Sequence, residues 1–344
     1  MAQDDGGSTE ARKSRHLDIC LDEDVASTLD AGFAAVRLRH EALPEFALED
    51  VSTEAAFLGR RLRAPLIVSS MTGGTQRAGA INANLARAAQ AAGVALALGS
   101  IRAALEDPAL FATYRVRALA PDVPLFANLG VVQLNYGVTV DAAKRALAEI
   151  EADGLYLHLN PLQEALQPRG DTNFRDLLPK IAALARNLGA PVIAKGVGSG
   201  ISPATAARLL DAGVAAVDVA GAGGTSWARV EGRRAGDDAR EALAETFAGW
   251  GYPTAEAVAA LRAAQPDATI VASGGIRSGV DVAKGLALGA DLCGVGLPLL
   301  RPATESAEAA TAALGALVAG LRIAQFASGS RTVRDLRSAL HARR

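Results

Sequence analysis

The residues able to do chemistry in this sequence lie just past short apolar runs. His158, Asn160, Gln163 and Glu164 cluster at the end of the run 155–159 and beyond it. Lys195 follows the apolar run 191–194, where a buried ammonium needs a partner. Three glycine-rich stretches come later: Gly221-Ala222-Gly223-Gly224-Thr225, Ser273-Gly274-Gly275-Ile276-Arg277 and Gly294-Val295-Gly296-Leu297. Glycine lets backbone N–H groups close on a phosphate, and the start of a following helix adds a favourable dipole. The same residues also serve plain turns. Polar groups recur earlier, at Ser70-Met71-Thr72-Gly73-Gly74, Gly99-Ser100-Ile101-Arg102 and Asn128.

Most of these groups have two readings. Glu164 is a hard oxygen ligand suited to Mg²⁺, which takes one or two carboxylates plus substrate phosphates, or else a solvated loop carboxylate. His158, the only one of four histidines at a strand end, is a site residue or a hydrogen-bonded core group. Lys195 faces either a carboxylate in a barrel mouth or the negatively charged N1/C2-carbonyl region of a reduced flavin. Arg12, Lys13, Arg15 and His16 form a basic knot that by itself reads as a solvated tail. Cys20 and Cys293 read as small buried residues, since nothing around either signals a nucleophile.

The elements that must hold these groups repeat. Short runs bounded by Gly or Pro lie at 65–70, 94–98, 124–128, 155–159, 191–194, 215–219, 269–272 and 292–295. They are apolar on both faces, as buried parallel strands are. Ala/Leu-rich segments with helical spacing lie between them, among them 81–92, 140–151, 203–212 and 280–288. Gly93, Gly154, Gly189, Gly213 and Gly289 stand where helices end. Eight strand–helix units predict an α/β fold of the (β/α)8 TIM-barrel class, with a doubly wound sheet as the alternative. Active residues then belong at the strand C-termini. Residues 11–344 read as a single barrel domain. Residues 12–62 flank it, and the charged insertion 227–253 is a candidate lid.

Composition narrows the function classes. Lys+Arg (35) and Asp+Glu (37) nearly cancel, to a formal charge of -2, which argues against a nucleic-acid partner. Two distant cysteines offer no disulfide framework. Residues 1–10 are polar and acidic and read as a disordered tail rather than a signal peptide. The apolar runs look shorter than the roughly 20 residues of a membrane span. A cytoplasmic protein with no membrane partner is expected.

Taken in order, the motifs resemble a known family. They are Arg12-Lys13-x-x-His16, Met71-Thr72-Gly73-Gly74, Ser100-x-Arg102, and His158-x-Asn160-Pro161-Leu162-Gln163-Glu164 with Gly170-Asp171 and Phe174. Val217 to Trp227, with Gly223-Gly224-Thr225-Ser226-Trp227, follows, then Trp250-Gly251-x-Pro253-Thr254 and Ala272-Ser273-Gly274-Gly275. Over nearly the whole chain they resemble the type 2, FMN-dependent isopentenyl-diphosphate isomerases. The resemblance implies that FMN is held by Ser70, Met71, Thr72, Ser100, Asn128, Lys195 and Thr225, its phosphate on Gly274, Gly275, Ile276, Gly296 and Leu297. It implies that Arg12, Lys13, Ser100 and Arg102 bind a small-molecule diphosphate, that Glu164 carries Mg²⁺, and that Gln163, touching substrate, and His158 are the catalytic candidates. It further implies NADPH as reductant and a homo-oligomer, a tetramer or larger. The chain departs from the family pattern at Gly196, where glutamate is usual, and at Ile101.

The implied reaction moves a double bond by one position through a 1,3-allylic proton shift, with reduced FMN beside the alkene. The competing reading is an FMN-dependent hydroxy-acid oxidoreductase on the same barrel. That chemistry needs a strand-end histidine near an arginine, and no histidine lies between His158 and His341.

Overall fold

The computed structural model describes residues 9–341. Its strands are β1 (Ala55–Phe57), β2 (Arg60–Leu62), β3 (Leu66–Val68), β4 (Ala95–Ser100), β5 (Leu125–Gly130), β6 (Gly154–His158), β7 (Val192–Lys195), β8 (Ala216–Asp218), β9 (Ile270–Ser273) and β10 (Leu292–Val295). The last eight close into a parallel barrel in the order β10-β3-β4-β5-β6-β7-β8-β9. All eight expected strands are present, each end within two residues of its apolar run.

Helix α1 (Thr9–Asp22) precedes the barrel. The crossovers carry α2 (Gln76–Ala92), α3 (Arg102–Glu106), α4 (Val140–Ile150), α5 (Pro161–Leu166), α6 (Leu177–Asn187) and α7 (Pro203–Asp211). After β8 come α8 (Trp227–Ala235), α9 (Asp238–Glu245) and α10 (Thr254–Ala264), then α11 (Gly279–Ala287), α12 (Leu297–Glu305) and α13 (Ala307–Ala327). Hydroxyl side chains cap many helix starts: Thr75, Thr139, Ser202, Ser278 and Ser306 each accept a backbone N–H of the first turn. Each such cap stabilises its helix by about 1 kcal/mol. The Thr75 cap starts α2 at Gln76, ahead of the stretch marked by apolar spacing.

The strands obey a period of two. Leu66 and Val68 join the outer core under the helices, while Ile67 points into the barrel. Inside, Ile67, Ala95, Ala97, Phe126, Tyr156, Ile193, Ala216, Val271 and Leu292 pack as one cluster with Phe57 and Leu62 from the hairpin β1–β2. Phe57 stacks edge-on against Phe126, which does the same against Tyr156. The hairpin thus stoppers the N-terminal end of the barrel.

Three sequence expectations need correction or placement. Gly154 is not a helix end. Glu151 takes the left-handed cap of α4 (φ 56), and Gly154 opens β6, where a Cβ would meet Pro191 O at 2.8 Å and the Phe126 ring at 3.0 Å. Helix α13, 21 residues, is long and apolar enough by length and composition to cross a membrane, contrary to the expectation. It buries Ala310, Leu314, Leu317 and Leu321 and packs on α2, α11 and α12. Of the expected disordered tail 1–10, residues 1–8 lie outside the described residues, and Thr9 and Glu10 begin α1.

Candidate active site

Two residues beyond the apolar interior cluster, the same inward-facing positions read Ser69, Asn128, His158, Lys195, Asp218, Ser273 and Gly294. The period of two therefore turns the barrel interior from apolar to polar as the strands reach their C-termini. Above this layer lies a cavity of ≈ 430 Å³, within the size range of small-ligand sites. Its lining includes Ser70, Met71, Thr72, Ser100, Asn128, His158, Lys195 and Thr225, and at one end Gly274, Gly275, Ile276, Gly296 and Leu297. At the other end stand Arg12, Lys13, Arg102 and Gln163. Of the residues that the resemblance assigns to FMN, the diphosphate, catalysis or Mg²⁺, all line this one cavity except Glu164.

The glycine end is built from backbone. Gly274 (φ 99) and Gly275 (φ 74) hold the left-handed region that favours glycine. A Cβ on Gly274 would stand 2.1 Å from Gly221 O, and one on Gly224 2.6 Å from Gly275 N. The turns after β8 and β9 thus touch backbone to backbone. Thr254, buried on α10, donates from Oγ1 to Gly274 O at 2.6 Å. The two following helices differ. At α11, Asp281 already accepts from Arg277 N and Ser278 N, at 3.1 and 3.0 Å. At α12, Gly296 provides no side-chain cap. Pro298 has no N–H and Leu299 N donates to Gly296 O at 2.8 Å, so the N–H that the start of this helix can offer an anion is that of Leu297.

The floor is polar and mostly paired. His158 Nδ1 lies 2.7 Å from Asn128 Oδ1, and Asn128 Nδ2 donates to Ser70 Oγ at 3.0 Å. Burial, then the charges of Lys195 and Lys13, pull the His158 pKa down to about 3, so its imidazole is neutral at pH 7. Lys195 Nζ donates to Gly196 O at 3.0 Å. Burial lowers its pKa and Asp218 on the neighbouring strand opposes that shift. Ser69 Oγ is buried without a partner at the cavity wall. A Cβ at Gly196 would lie 2.5 Å from Val219 O, so the glycine at this departing position lets β7 close on the exit of β8. An uncapped helix start, a glycine cradle, a buried lysine and an orphaned hydroxyl around one cavity fit FMN.

The cationic end is built from side chains. Lys13 Nζ donates to Ser100 O and Tyr114 Oη, each at 2.8 Å. The Arg12 pKa is lowered, first by burial and then by Arg102. Arg102 donates to Glu106 at 2.8 Å and to Asp171 at 2.5 Å. The basic knot is therefore drawn into the cavity wall at Arg12 and Lys13, while Arg15 stays exposed and pairs with Glu23 at 3.2 Å.

Glu164 lies behind this wall. Its Oε1 accepts from Asn160 Nδ2 at 2.9 Å and its Oε2 from Asp171 N at 2.8 Å. Burial raises its pKa against those hydrogen bonds. The adjoining Asn160 Oδ1 is buried with no partner. Among the described residues no three His, Cys, Asp or Glu side chains converge as a metal cage. One carboxylate and one orphaned amide oxygen do fit Mg²⁺, which relies on phosphate oxygens and water for the rest.

Sequence reading missed Glu231. It is fully buried on α8, 3.2 Å from His16 Nε2, and accepts from Gln163 Nε2 at 2.9 Å and Arg234 Nε at 2.8 Å. Burial opposes its ionisation, but His16, Arg234 and Gln163 outweigh that and hold its pKa at about 2. Gln163 Oε1 in turn accepts from Asn160 Nδ2 at 3.1 Å, so the Gln163 amide is fixed at both ends. The available signal was an acid one helical turn past Trp227, masked by the charge of its segment.

Comparison with known proteins adds three findings. A family model described as FMN-dependent dehydrogenase matches residues 141–343. The protein named isopentenyl-diphosphate delta-isomerase in Stutzerimonas stutzeri (strain A1501) is 53% identical over 333 residues, 96% of this chain and 96% of the relative. That of Nostoc sp. (strain PCC 7120 / SAG 25.82 / UTEX 2576) is 49% identical over 334 residues, 97% of this chain and 95% of the relative. Among solved structures, a mandelate oxidase with an FMN monooxide adduct superposes with a TM-score of 0.65 at 21% identity, covering 98% of this chain and 93% of the other. A Pediococcus acidilactici lactate oxidase gives 0.64 at 18%, covering 98% and 88%. These last likenesses speak to the fold alone.

Proposed function

The chain belongs to the isopentenyl-diphosphate delta-isomerase family, and from that premise we propose that it interconverts isopentenyl and dimethylallyl diphosphate, using reduced FMN and Mg²⁺, for isoprenoid biosynthesis. One observation carries the reading. A single cavity has two anion-binding ends, one of glycine backbone beside the uncapped α12 and one of Arg12, Lys13 and Arg102. A flavin phosphate and a substrate diphosphate account for both.

FMN, when bound, supplies an electron-rich ring beside the alkene whose proton is to be moved. The chain's own residues bind, orient and exclude water. Arg12, Lys13 and Arg102 neutralise the diphosphate, and Glu164 with Asn160 Oδ1 would hold Mg²⁺ against it. Ser70, Thr72, Asn128 and Lys195 would seat the flavin ring, Lys195 offering its ammonium to the side that gains charge on reduction. Gln163, clamped between Glu231 and Asn160, presents a polar edge of fixed direction to the substrate. Glu231, kept ionised, holds the Gln163 amide proton at Nε2. NADPH would serve as the reductant. The insertion 227–253 would close over the substrate, and the chain would work as a cytoplasmic homo-oligomer, a tetramer or larger.

The test is redox stoichiometry. Under anaerobic conditions one reduction of the flavin should support many turnovers of isopentenyl diphosphate. In deuterated water the product should gain deuterium at the carbon that becomes a methyl group. Consumption of one NADPH per turnover, or full activity of the oxidised protein, would overturn the isomerase reading in favour of the oxidoreductase one.

A further inference from the structure

Tyr114 follows a 3-10 turn (Pro108–Thr113) that runs outside the barrel wall, and it is fully buried. Its ring lies on the turn after β3: a Cβ at Gly73 would stand 2.1 Å from Tyr114 Cε1. Its hydroxyl donates to Ser100 O at 2.6 Å and accepts from Lys13 Nζ at 2.8 Å. Lys13 also donates to that carbonyl at 2.8 Å. A Cβ on Gly74 would stand 2.9 Å from Lys13 Nζ and 3.1 Å from Tyr114 Oη. Ring, hydroxyl, carbonyl, ammonium and the Gly73-Gly74 turn therefore form one packed unit at the edge of the cavity.

The charges facing Lys13 are Arg12 on its own helix and Arg102 and Glu106 on α3, and His158 of β6 lies close enough to feel the Lys13 charge. Burial first, and then Arg12, lower the Lys13 pKa to about 7. No carboxylate forms an ion pair with it among the described residues, so two neutral oxygens aim the ammonium. Burial raises the Tyr114 phenol well above its ordinary value, so the hydroxyl stays a neutral acceptor while Lys13 titrates.

We propose that Tyr114 is a positioning residue, whose hydroxyl fixes the Lys13 ammonium at the diphosphate end of the cavity and whose ring fixes the Gly73-Gly74 turn beside it. The proposal rests on Lys13 being a phosphate ligand. Tyr114→Phe keeps the ring on Gly73 and deletes only the hydroxyl. In the FMN-loaded protein with Mg²⁺, inorganic pyrophosphate should bind about ten- to a hundredfold more weakly, the size of one lost hydrogen bond to a charged group. Losing an acceptor also makes the ammonium easier to deprotonate, so the decline of affinity with rising pH should begin lower than in the parent. Lys13→Met should weaken binding by itself, and adding Tyr114→Phe to it should cost nothing more. If Tyr114→Phe weakens binding equally with and without Lys13, and leaves the pH midpoint in place, Tyr114 is only a packing residue and the proposal falls. If Lys13→Met leaves pyrophosphate binding unchanged, the phosphate-ligand reading fails first and takes the proposal with it. A second measurement needs no change at Tyr114. With 3-fluorotyrosine at the four tyrosines, the ¹⁹F signal of Tyr114 should titrate near pH 7 in the parent and stay fixed in Lys13→Met. A signal fixed in both would overturn the coupling.

Discussion

On the proposed function, the two ends of the cavity would bind anions by different means. The glycine end would offer peptide N–H groups, held by backbone packed on backbone at Gly221, Gly224, Gly274 and Gly275. The other end uses long side chains brought from α1 and α3, with Lys13 held by neutral oxygens. Backbone dipoles do not titrate and cost little to order once the fold exists. A crowded, buried ammonium titrates within the working pH range. One end is thus a fixed socket, and the other answers to pH.

Four experiments sharpen or break this contrast, the largest effect first. Gly274→Ala puts a Cβ 2.1 Å from Gly221 O at φ 99. Strain of roughly 1–3 kcal/mol, with a similar overpacking cost, predicts about a hundredfold or greater loss of FMN affinity, read by flavin fluorescence on release. If pyrophosphate affinity falls by the same factor, the two ends share one scaffold and the contrast is wrong. Lys195→Ala removes a charge-assisted contact of about 1.5–3 kcal/mol, so flavin should be retained roughly ten- to a hundredfold less well. An unchanged flavin dissociation constant would move Lys195 out of the site.

Glu164→Gln keeps size and hydrogen-bonding reach while removing charge. The Mg²⁺ concentration for half-maximal turnover should rise about tenfold or more, with FMN content unchanged. A Mg²⁺ titration identical to the parent's would place the metal elsewhere. The smallest effect comes from pH alone. Lys13 is charged below its pKa of about 7 and loses that charge as pH rises through it. Pyrophosphate affinity should therefore fall by roughly three- to tenfold between pH 6 and 8.5, while FMN affinity stays level. Burial keeps His158 neutral down to about pH 3, so it adds no inflection in that window. Parallel pH profiles for both ligands would erase the distinction.

The sequence displayed the glycine end far better than the cationic one. Eight apolar runs announced the barrel, and glycine clusters after them marked the turns that line the cavity's glycine end, because both signals are local. The cationic end depends on tertiary contacts with no local mark. By its local composition Lys13 reads as part of a solvated charge run, and only the family resemblance assigned it to a diphosphate; Tyr114 and Ser100, about a hundred residues away, hold it. Glu231 was hidden for the same reason, an acid buried within a segment that reads as charged surface. Hairpin β1–β2 went unread because its strands are three residues long and carry the exposed Arg60 and Arg61. Gly154 shows the opposite error: a glycine in the expected place for a helix end is needed instead to clear Phe126 and Pro191.

That hairpin has a kinetic consequence. With Phe57 and Leu62 driven into the barrel's lower end, the interior is no corridor, and traffic to the cavity passes through the mouth. On the proposed function, an electron donor and a diphosphate would then share one doorway and take turns at it. High substrate concentration should slow reduction of the flavin, and an excess of donor should delay the first catalytic cycle. The competition at the mouth would follow from a stopper at the opposite end of the barrel.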